Sequence, residues 1–220
     1  MSAVFITATG TDIGKTYLAA GLIRHWRAAG YAAEALKPLA TGFAAEDATS
    51  SDAGMLLAAS GRPVTAGEID RISPFRFKAP LSPDMAAKRE GRRVDFPALV
   101  DFCRSAIAAP SGPLLIEGIG GVMVPLDENH TVLDWMAALG IPVLVVAGSY
   151  LGSLSHALTA LDVLAHKGLA VRALVVNETP NSTVALAGTI ETLQRFAGAV
   201  PVIALRRGSG QNFAAIAALL

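Results

Sequence analysis

Two lysines, two acids and a threonine are the side chains best placed to do chemistry on a phosphate. The run Thr7-Ala8-Thr9-Gly10-Thr11-Asp12-Ile13-Gly14-Lys15-Thr16 follows the apolar residues Val4, Phe5 and Ile6 and precedes a helical pattern. A strand that empties into a turn of small residues and restarts as a helix aims several backbone N–H groups at one point, which suits a polyphosphate. In such loops the lysine reaches the terminal phosphates and the next hydroxyl binds Mg²⁺, which assigns those roles to Lys15 and Thr16. The strict nucleotide-loop pattern wants glycine at the position of Thr9, and Gly10 comes one place late. A chance Gly-Lys-Thr in a helix cap is the bland alternative, and the strand–turn–helix setting weighs against it. Gly-x-Gly-x-x-Gly is absent, so a dinucleotide fingerprint is weaker still.

Lys37 offers a second cation. It closes a short buried-strand pattern, Ala32 to Leu36, and Pro38 ends the ladder there, so Lys37 falls at the carboxyl edge of a sheet, where open α/β sheets hold ligands. Two ammonium groups flanking one polyphosphate offset charge that builds during phosphoryl transfer. A solvated end-of-strand lysine is the alternative. Glu117 ends the apolar strand Pro113 to Ile116 and precedes Gly118-Ile119-Gly120-Gly121; Asp52 opens a helix after Ser51. With Thr16 they make three oxygen-bearing groups, and Mg²⁺ takes few protein oxygens beside waters and phosphates. An ordinary helix cap is the alternative for Asp52, a structural ion pair for Glu117. The histidines give no metal pair: His25 and His166 fit exposed helix positions, His130 a polar loop, and His156 the helix after Gly152. The basic run Lys88 to Arg93 reads as a solvated helix end.

The elements that must carry these residues alternate between strand and helix. Helical spacing runs from Tyr17 to Ala29 with Gly30 as its stop, and from Asp52 to Ala59 before Gly61. Prolines 63, 74, 80 and 83 forbid a long helix or central strand between Arg62 and Pro83, which reads as an excursion over the surface or the site's mouth. Ser82-Pro83 and Asp95 begin two further helices, and Val132 to Leu139 forms a short one. Strand Pro142 to Ala147, helix Ser153 to His166, strand Ala170 to Val176, helix Val184 to Ala197 and strand Val200 to Leu205 follow, then a helix over Asn212 to Leu220. Strands apolar throughout and separated by helices predict one α/β domain over 1–220: a P-loop NTPase-like, mainly parallel sheet with helices on both faces.

At 220 residues and 52% apolar content the chain can bury a full core. Its 18 basic and 18 acidic residues cancel, so no global field favours nucleic acid or an anionic membrane, and a small-molecule partner is expected. Cys103 is the single cysteine, which excludes an intrachain disulfide; its apolar neighbours predict a buried helix position. Met1-Ser2-Ala3-Val4 lacks the basic start of a signal peptide, and the longest apolar tract, Met136 to Gly148, is too short to span a bilayer. Cytoplasm is the expected location.

In order and spacing, Thr11-Asp12-Ile13-Gly14-Lys15-Thr16, Lys37-Pro38-Leu39-Ala40-Thr41-Gly42, Ser51-Asp52-Ala53, Ser82-Pro83, Glu117-Gly118-Ile119-Gly120-Gly121 and Leu151-Gly152-Ser153-Leu154-Ser155-His156-Ala157-Leu158-Thr159 resemble the dethiobiotin synthetases. The likeness runs over nearly the whole chain. It implies an ATP-dependent cyclo-ligase of biotin synthesis that joins CO₂ to 7,8-diaminononanoate, giving dethiobiotin, ADP and phosphate. A substrate amine would form a carbamate, ATP would phosphorylate it, and the neighbouring amine would close the ureido ring.

The resemblance implies catalytic roles for Lys37, Lys15 and Thr11, and Mg²⁺ held by Thr16, Asp52 and Glu117. ATP would lie against Asp12, Ile13, Gly14, Lys15, Thr16 and Tyr17, with Asp52, Glu117, Gly118, Ile119 and Gly120 nearby. Asn177 would read the adenine, with Glu178 beside it and the backbone of Ala204 and Leu205 flanking the base. Thr41 would bond the diamine or carbamate. Gly152 and Ser153 would meet the substrate's carboxylate tail across a homodimer. The chain departs from the family at four places. Ala8 stands for the usual first loop glycine, Asp12 for a common glutamate, Thr41 for a frequent serine and Tyr150 for a common basic residue. Ala8 matters if that site needs positive φ.

Two readings from other classes stand beside this one. A partitioning-type ATPase switch shares the general fold but usually carries a second lysine early in the loop, where Thr9-Gly10-Thr11 offers none. A regulatory domain that binds nucleotide without turnover is the other.

Overall fold

All six residues of β1 (Ala3–Ala8) are buried in the computed structural model, which describes residues 3–208 and 212–220. The other strands of its sheet are β2 (Glu34–Leu36), β5 (Leu114–Glu117), β6 (Val143–Gly148), β7 (Val171–Asn177) and β8 (Val202–Leu205). They lie in the order β2-β5-β1-β6-β7-β8, and every pairing is parallel. The central strands are shielded on both sides, which explains why β1, β5 and β6 run largely apolar instead of alternating. Val143, Leu144, Val145 and Val146 have no exposed surface. Each such side chain contributes roughly 1.5–3 kcal/mol through burial.

Connections leave β1 in opposite directions. The crossover through α1 (Lys15–Ala28) runs to β2, skipping the place that β5 later fills, whereas the later strands step outward on the other side. Right-handed crossovers of opposite direction put α1 on the face opposite α7 (Ser153–His166) and α8 (Leu186–Phe196). The carboxyl end of β1 is therefore a topological switch point, the place where such sheets leave a crevice.

The excursion proves more ordered than its prolines suggest. It holds α3 (Ala66–Ile72) and β4 (Phe75–Arg76), and β4 pairs in parallel with β3 (Leu39–Ala40) as a separate two-stranded sheet. Pro38 does end the main ladder, but the chain pairs again immediately after it. Two-residue strands leave no periodicity to read. Their effect is local: Gly42 N donates to Ala79 O at 3.1 Å and Phe43 N to Phe77 O at 3.0 Å, so Thr41 to Phe43 form a fixed wall.

Helix starts follow their caps. Ser51 accepts from Gly54 N to begin α2 (Asp52–Ala59), Asp95 accepts from Ala98 N to begin α5 (Phe96–Ala108), and Thr131 with Asp134 forms a capping box on α6 (Val132–Leu139). Proline at its first position opens α4 (Pro83–Arg89). The last helix, α9 (Phe213–Ala217), is shorter than the pattern Asn212 to Leu220 predicts. His25 is half-buried instead of exposed, and His130 is not loose in its loop. Its ring stacks on Phe96 at 3.9 Å and its Nδ1 lies 2.9 Å from Asp127 Oδ2. Cys103 is buried on α5, as its apolar neighbours predict, and burial pushes its thiol up to about 12.

Candidate active site

The phosphate loop leaves β1 without strain at Ala8, which remains extended as the last strand residue; the positive φ falls later, at Asp12 (57°) and Gly14 (103°). Aspartate tolerates that conformation better than most side chains. Gly14 has a second reason to lack a side chain, since a Cβ there would lie 2.2 Å from Asn177 Nδ2. Asn177, the last residue of β7, donates from Nδ2 to Ile13 O at 3.0 Å and so braces the loop. Its Oδ1 is buried with no partner among the described residues.

Lys15 opens α1 and folds back over the loop. Its Nζ donates to Gly10 O at 3.1 Å and to Gly120 O at 2.8 Å, which uses two of its three donors. Burial, reinforced by the nearby charge of Lys37, pushes its pKa down to about 8.

Lys37 and Glu117 come from strands whose register sets their meeting. Leu36 pairs with Ile116 across β2 and β5, so the residues that follow, Lys37 and Glu117, stand side by side at the sheet's edge. Lys37 Nζ donates to Glu117 Oε1 at 2.7 Å, to Gly118 O at 2.9 Å and to Asp52 Oδ2 at 2.9 Å. Burial opposes the charge on Lys37, but the two carboxylates outweigh it and raise its pKa. Burial likewise opposes the charge on Asp52, and Lys37 outweighs it, holding that acid below its usual range.

Thr16 Oγ1 sits 2.9 Å from Asp52 Oδ1 and 2.8 Å from Glu117 Oε1. The three oxygen-bearing groups singled out in the sequence therefore converge, although they come from α1, α2 and β5. Glu117 is fully buried and its Oε2 has no partner among the described residues, whereas the Asp52 side chain is 47% exposed. Asp52 caps nothing with its own side chain; Ser51 is the helix cap, so the ordinary-cap reading of Asp52 fails. No three His, Cys, Asp or Glu side chains gather among the described residues, because the third oxygen of this cluster is a hydroxyl.

A cavity of about 470 Å³ opens on these groups, lined by Thr11, Asp12, Gly14, Lys15, Thr16, Lys37, Thr41, Asp52, Glu117, Ile119 and Gly120 among others. Its remaining walls include Ala40, Gly42, Phe43, Ser50, Ser51 and Ala53. Phe43 gave no signal in the sequence; it reaches the wall because β3 and β4 hold its backbone. Ile13, Tyr17, Gly118, Asn177, Glu178, Ala204 and Leu205 stand outside this lining. Several of them are linked to one another beyond the loop: Glu178 N donates to Leu205 O at 2.9 Å, and Arg207 N to Glu178 Oε2 at 3.0 Å.

Gly152 and Ser153 also lie away from the cavity. Gly152 precedes α7 with φ 96°, and Ser153 is buried with its Oγ accepting from Tyr150 N at 3.3 Å. His156, one turn along, accepts or donates at 2.9 Å with Tyr150 OH and borders a second, more apolar cavity of about 470 Å³. Thr11 borders both cavities.

A family model described as an AAA domain matches residues 2–205. An ATP-dependent dethiobiotin synthetase of Acidiphilium cryptum is 53% identical over 202 residues, covering 91% of this chain and 91% of that protein. The chain belongs to the dethiobiotin synthetase family. A second dethiobiotin synthetase, from Methylobacterium nodulans, is 47% identical over 215 residues, covering 96% of this chain and 95% of its own. Among solved structures, the MinD cell division protein of Aquifex aeolicus aligns with a TM-score of 0.57 over 99% of this chain and 86% of its own. At 12% identity that likeness is one of fold, and with dethiobiotin synthetases at 53% and 47% the partitioning-type switch is not favoured.

Proposed function

We propose that this chain catalyses ATP-dependent carboxylation and ring closure of 7,8-diaminononanoate with CO₂, giving dethiobiotin, ADP and phosphate. The observation that carries the reading is the convergence of Lys15, Lys37, Thr16, Asp52 and Glu117 on one cavity at the carboxyl edge of the sheet. Carbamate and triphosphate are both anionic, and they approach only where fixed positive charge offsets their repulsion.

In this reading one substrate amine adds to CO₂, forming an N–C bond and losing a proton. An oxygen of the carbamate then attacks the γ-phosphorus of ATP, forming one P–O bond as the bond to ADP breaks. The second amine attacks the carbamoyl carbon and loses a proton, closing the ring as the C–O bond to phosphate breaks and phosphate leaves. Lys15, with one donor uncommitted, faces the phosphates; Lys37, fixed by Glu117, Asp52 and the Gly118 carbonyl, presents its charge to the carbamate. Thr11 and Thr41 line the same cavity and would orient the diamine end.

The donor set also fits Mg²⁺. Two carboxylates and a hydroxyl meet within hydrogen-bond distance, and Glu117 Oε2 has unused capacity. Thr16, Asp52 and Glu117 would hold the ion, which when bound neutralises charge on the β- and γ-phosphates. For the base, the unpartnered Oδ1 of Asn177 is an acceptor of the kind an exocyclic amine requires. Glu178, Ala204 and Leu205 would stand beside it.

The second cavity and its exposed neighbour Met123 (55%), together with Leu151 (89%) just before α7, support a homodimer with Gly152 and Ser153 near the substrate tail. No helix among the described residues is long and apolar enough to cross a membrane. A cytoplasmic enzyme without nucleic-acid partners fits the balanced charge.

The deciding assay follows phosphate release from ATP with diaminononanoate and bicarbonate added separately and together. Release that requires both, with labelled carbon from bicarbonate entering a cyclic urea, is the expected result. Hydrolysis indifferent to both substrates would restore the switch reading.

A further inference from the structure

We propose that Phe213, seated on Gly21, is a positioning residue for the nucleotide base; this rests on the reading of Asn177, Ala204 and Leu205 as the surroundings of that base. Gly21 stands inside α1, where glycine weakens a helix relative to alanine. Packing supplies its reason. A Cβ at Gly21 would lie 2.1 Å from Cζ and 2.2 Å from Cε1 of Phe213, so the ring occupies the space a side chain would take.

Contacts on both sides of Phe213 lead to the nucleotide site. Tyr17, one turn before Gly21 and directly after Thr16, has its ring 6.2 Å from that of Phe213. Asn212, the chain neighbour of Phe213, donates from Nδ2 to the Ala204 carbonyl at 3.0 Å. The end of β8 is in turn fixed to β7 by Glu178 N and Leu205 O, and β7 reaches back to the phosphate loop through Asn177 Nδ2 and Ile13 O. The circuit thus runs from loop to β7, β8, α9 and α1. Sheet and loop hydrogen bonds hold most of it; the α9-to-α1 step rests on apolar packing, in which the Phe213 ring fills the notch at Gly21. A helix of five residues does not hold itself by its own hydrogen bonds, so α9 keeps its place through Phe213 and the buried Ile216.

The ladder to β7 fixes the backbone of Ala204 and Leu205, and the bond from Asn212 to the Ala204 carbonyl is the contact at this strand end that lies beside Phe213. Freeing Phe213 relaxes the base's surroundings while leaving the phosphate loop, whose own bonds are intact, able to bind polyphosphate.

The test compares Phe213→Ala, Phe213→Leu and Gly21→Ala with the full-length wild type, using ATP and base-free inorganic tripolyphosphate as probes in calorimetry and ATP in steady-state turnover. The alanine substitutions are expected to weaken ATP binding and raise its KM about tenfold, equivalent to about 1.4 kcal/mol. Tripolyphosphate affinity, kcat and the KM for diamine should stay within about twofold on the same scale, and Phe213→Leu should recover most of the loss. Equal weakening of ATP and tripolyphosphate, or a lower Tm with ATP binding unchanged, overturns the proposal alone. A wild-type protein that binds ATP no better than tripolyphosphate overturns it together with the base-site reading on which it rests.

Discussion

Lys37 and Glu117 are separated by 80 positions in the chain and by 2.7 Å in the fold, both essentially removed from solvent. The pair is not isolated: Asp52 and the Gly118 carbonyl complete the shell of the ammonium, and Thr16 bonds the same Glu117 oxygen. Neutralising a partner in so small a cluster changes every other member.

Lys37→Ala should abolish turnover, because it removes the cation proposed to face the carbamate. Glu117→Gln should shift the magnesium titration of activity to higher concentration. It should cost roughly 1–3 kcal/mol of stability, the scale of a lost charged hydrogen bond, since Asp52 still neutralises Lys37. Near-normal rates in the first variant remove Lys37 from the reaction; an unchanged magnesium titration in the second removes Glu117 from the metal.

Lys15 carries a pH signature in the protein without nucleotide. Its pKa is about 8 in the fold against 10.5 for the free side chain. A lysine whose folded pKa is lowered destabilises the fold in full below the folded value. Between the two values the unfolded chain binds more protons, so stability rises with pH across that window. Lys15→Met should therefore lose turnover yet unfold at an equal or higher temperature at pH 7, with its advantage shrinking as pH rises from about 8 to 10. Thermal unfolding at both ends of the window checks this, and a variant several degrees less stable at pH 7 contradicts it.

Asp134 should report on acid sensitivity. The Thr131 backbone N–H, with smaller help from the Thr131 hydroxyl and Lys167, holds its pKa down to about 2, against 3.8 ordinarily. An acid with a lowered folded pKa adds stability above its unfolded value and loses it as pH falls through the folded one. Asp134→Asn is expected to cost about 1 kcal/mol at pH 7, the scale of a helix cap, with the gap to wild type closing between pH 4 and 2. Denaturant unfolding at the two extremes measures it, and a pH-independent gap would show that the carboxylate is not the cause.

Local chemistry wrote much of this fold into the sequence. Short apolar runs at 4–6, 114–116 and 143–147, bounded by turn residues, read as strands shielded on both faces, and Gly14-Lys15-Thr16 after such a run marks a phosphate loop because the backbone N–H groups at a helix start converge on one point. Helix starts near Ser51 and at Asp95 are legible for the same reason: a side-chain oxygen must satisfy an orphan N–H.

The tertiary structure decided what depends on contacts between distant segments. No periodicity near Lys37 states that β5 will slide between β2 and β1, yet that register alone brings Glu117 to the ammonium. Likewise Asp52 reads as a cap until α2 is placed beside α1, and Phe43 reads as a loop residue until β4 returns to pair with β3. Gly21 is an unremarked glycine until a ring from the other end of the chain fills its place. Bonds between near neighbours are fixed by residue type and spacing, whereas the meeting of remote residues is fixed by strand order and packing, which sequence spacing does not encode.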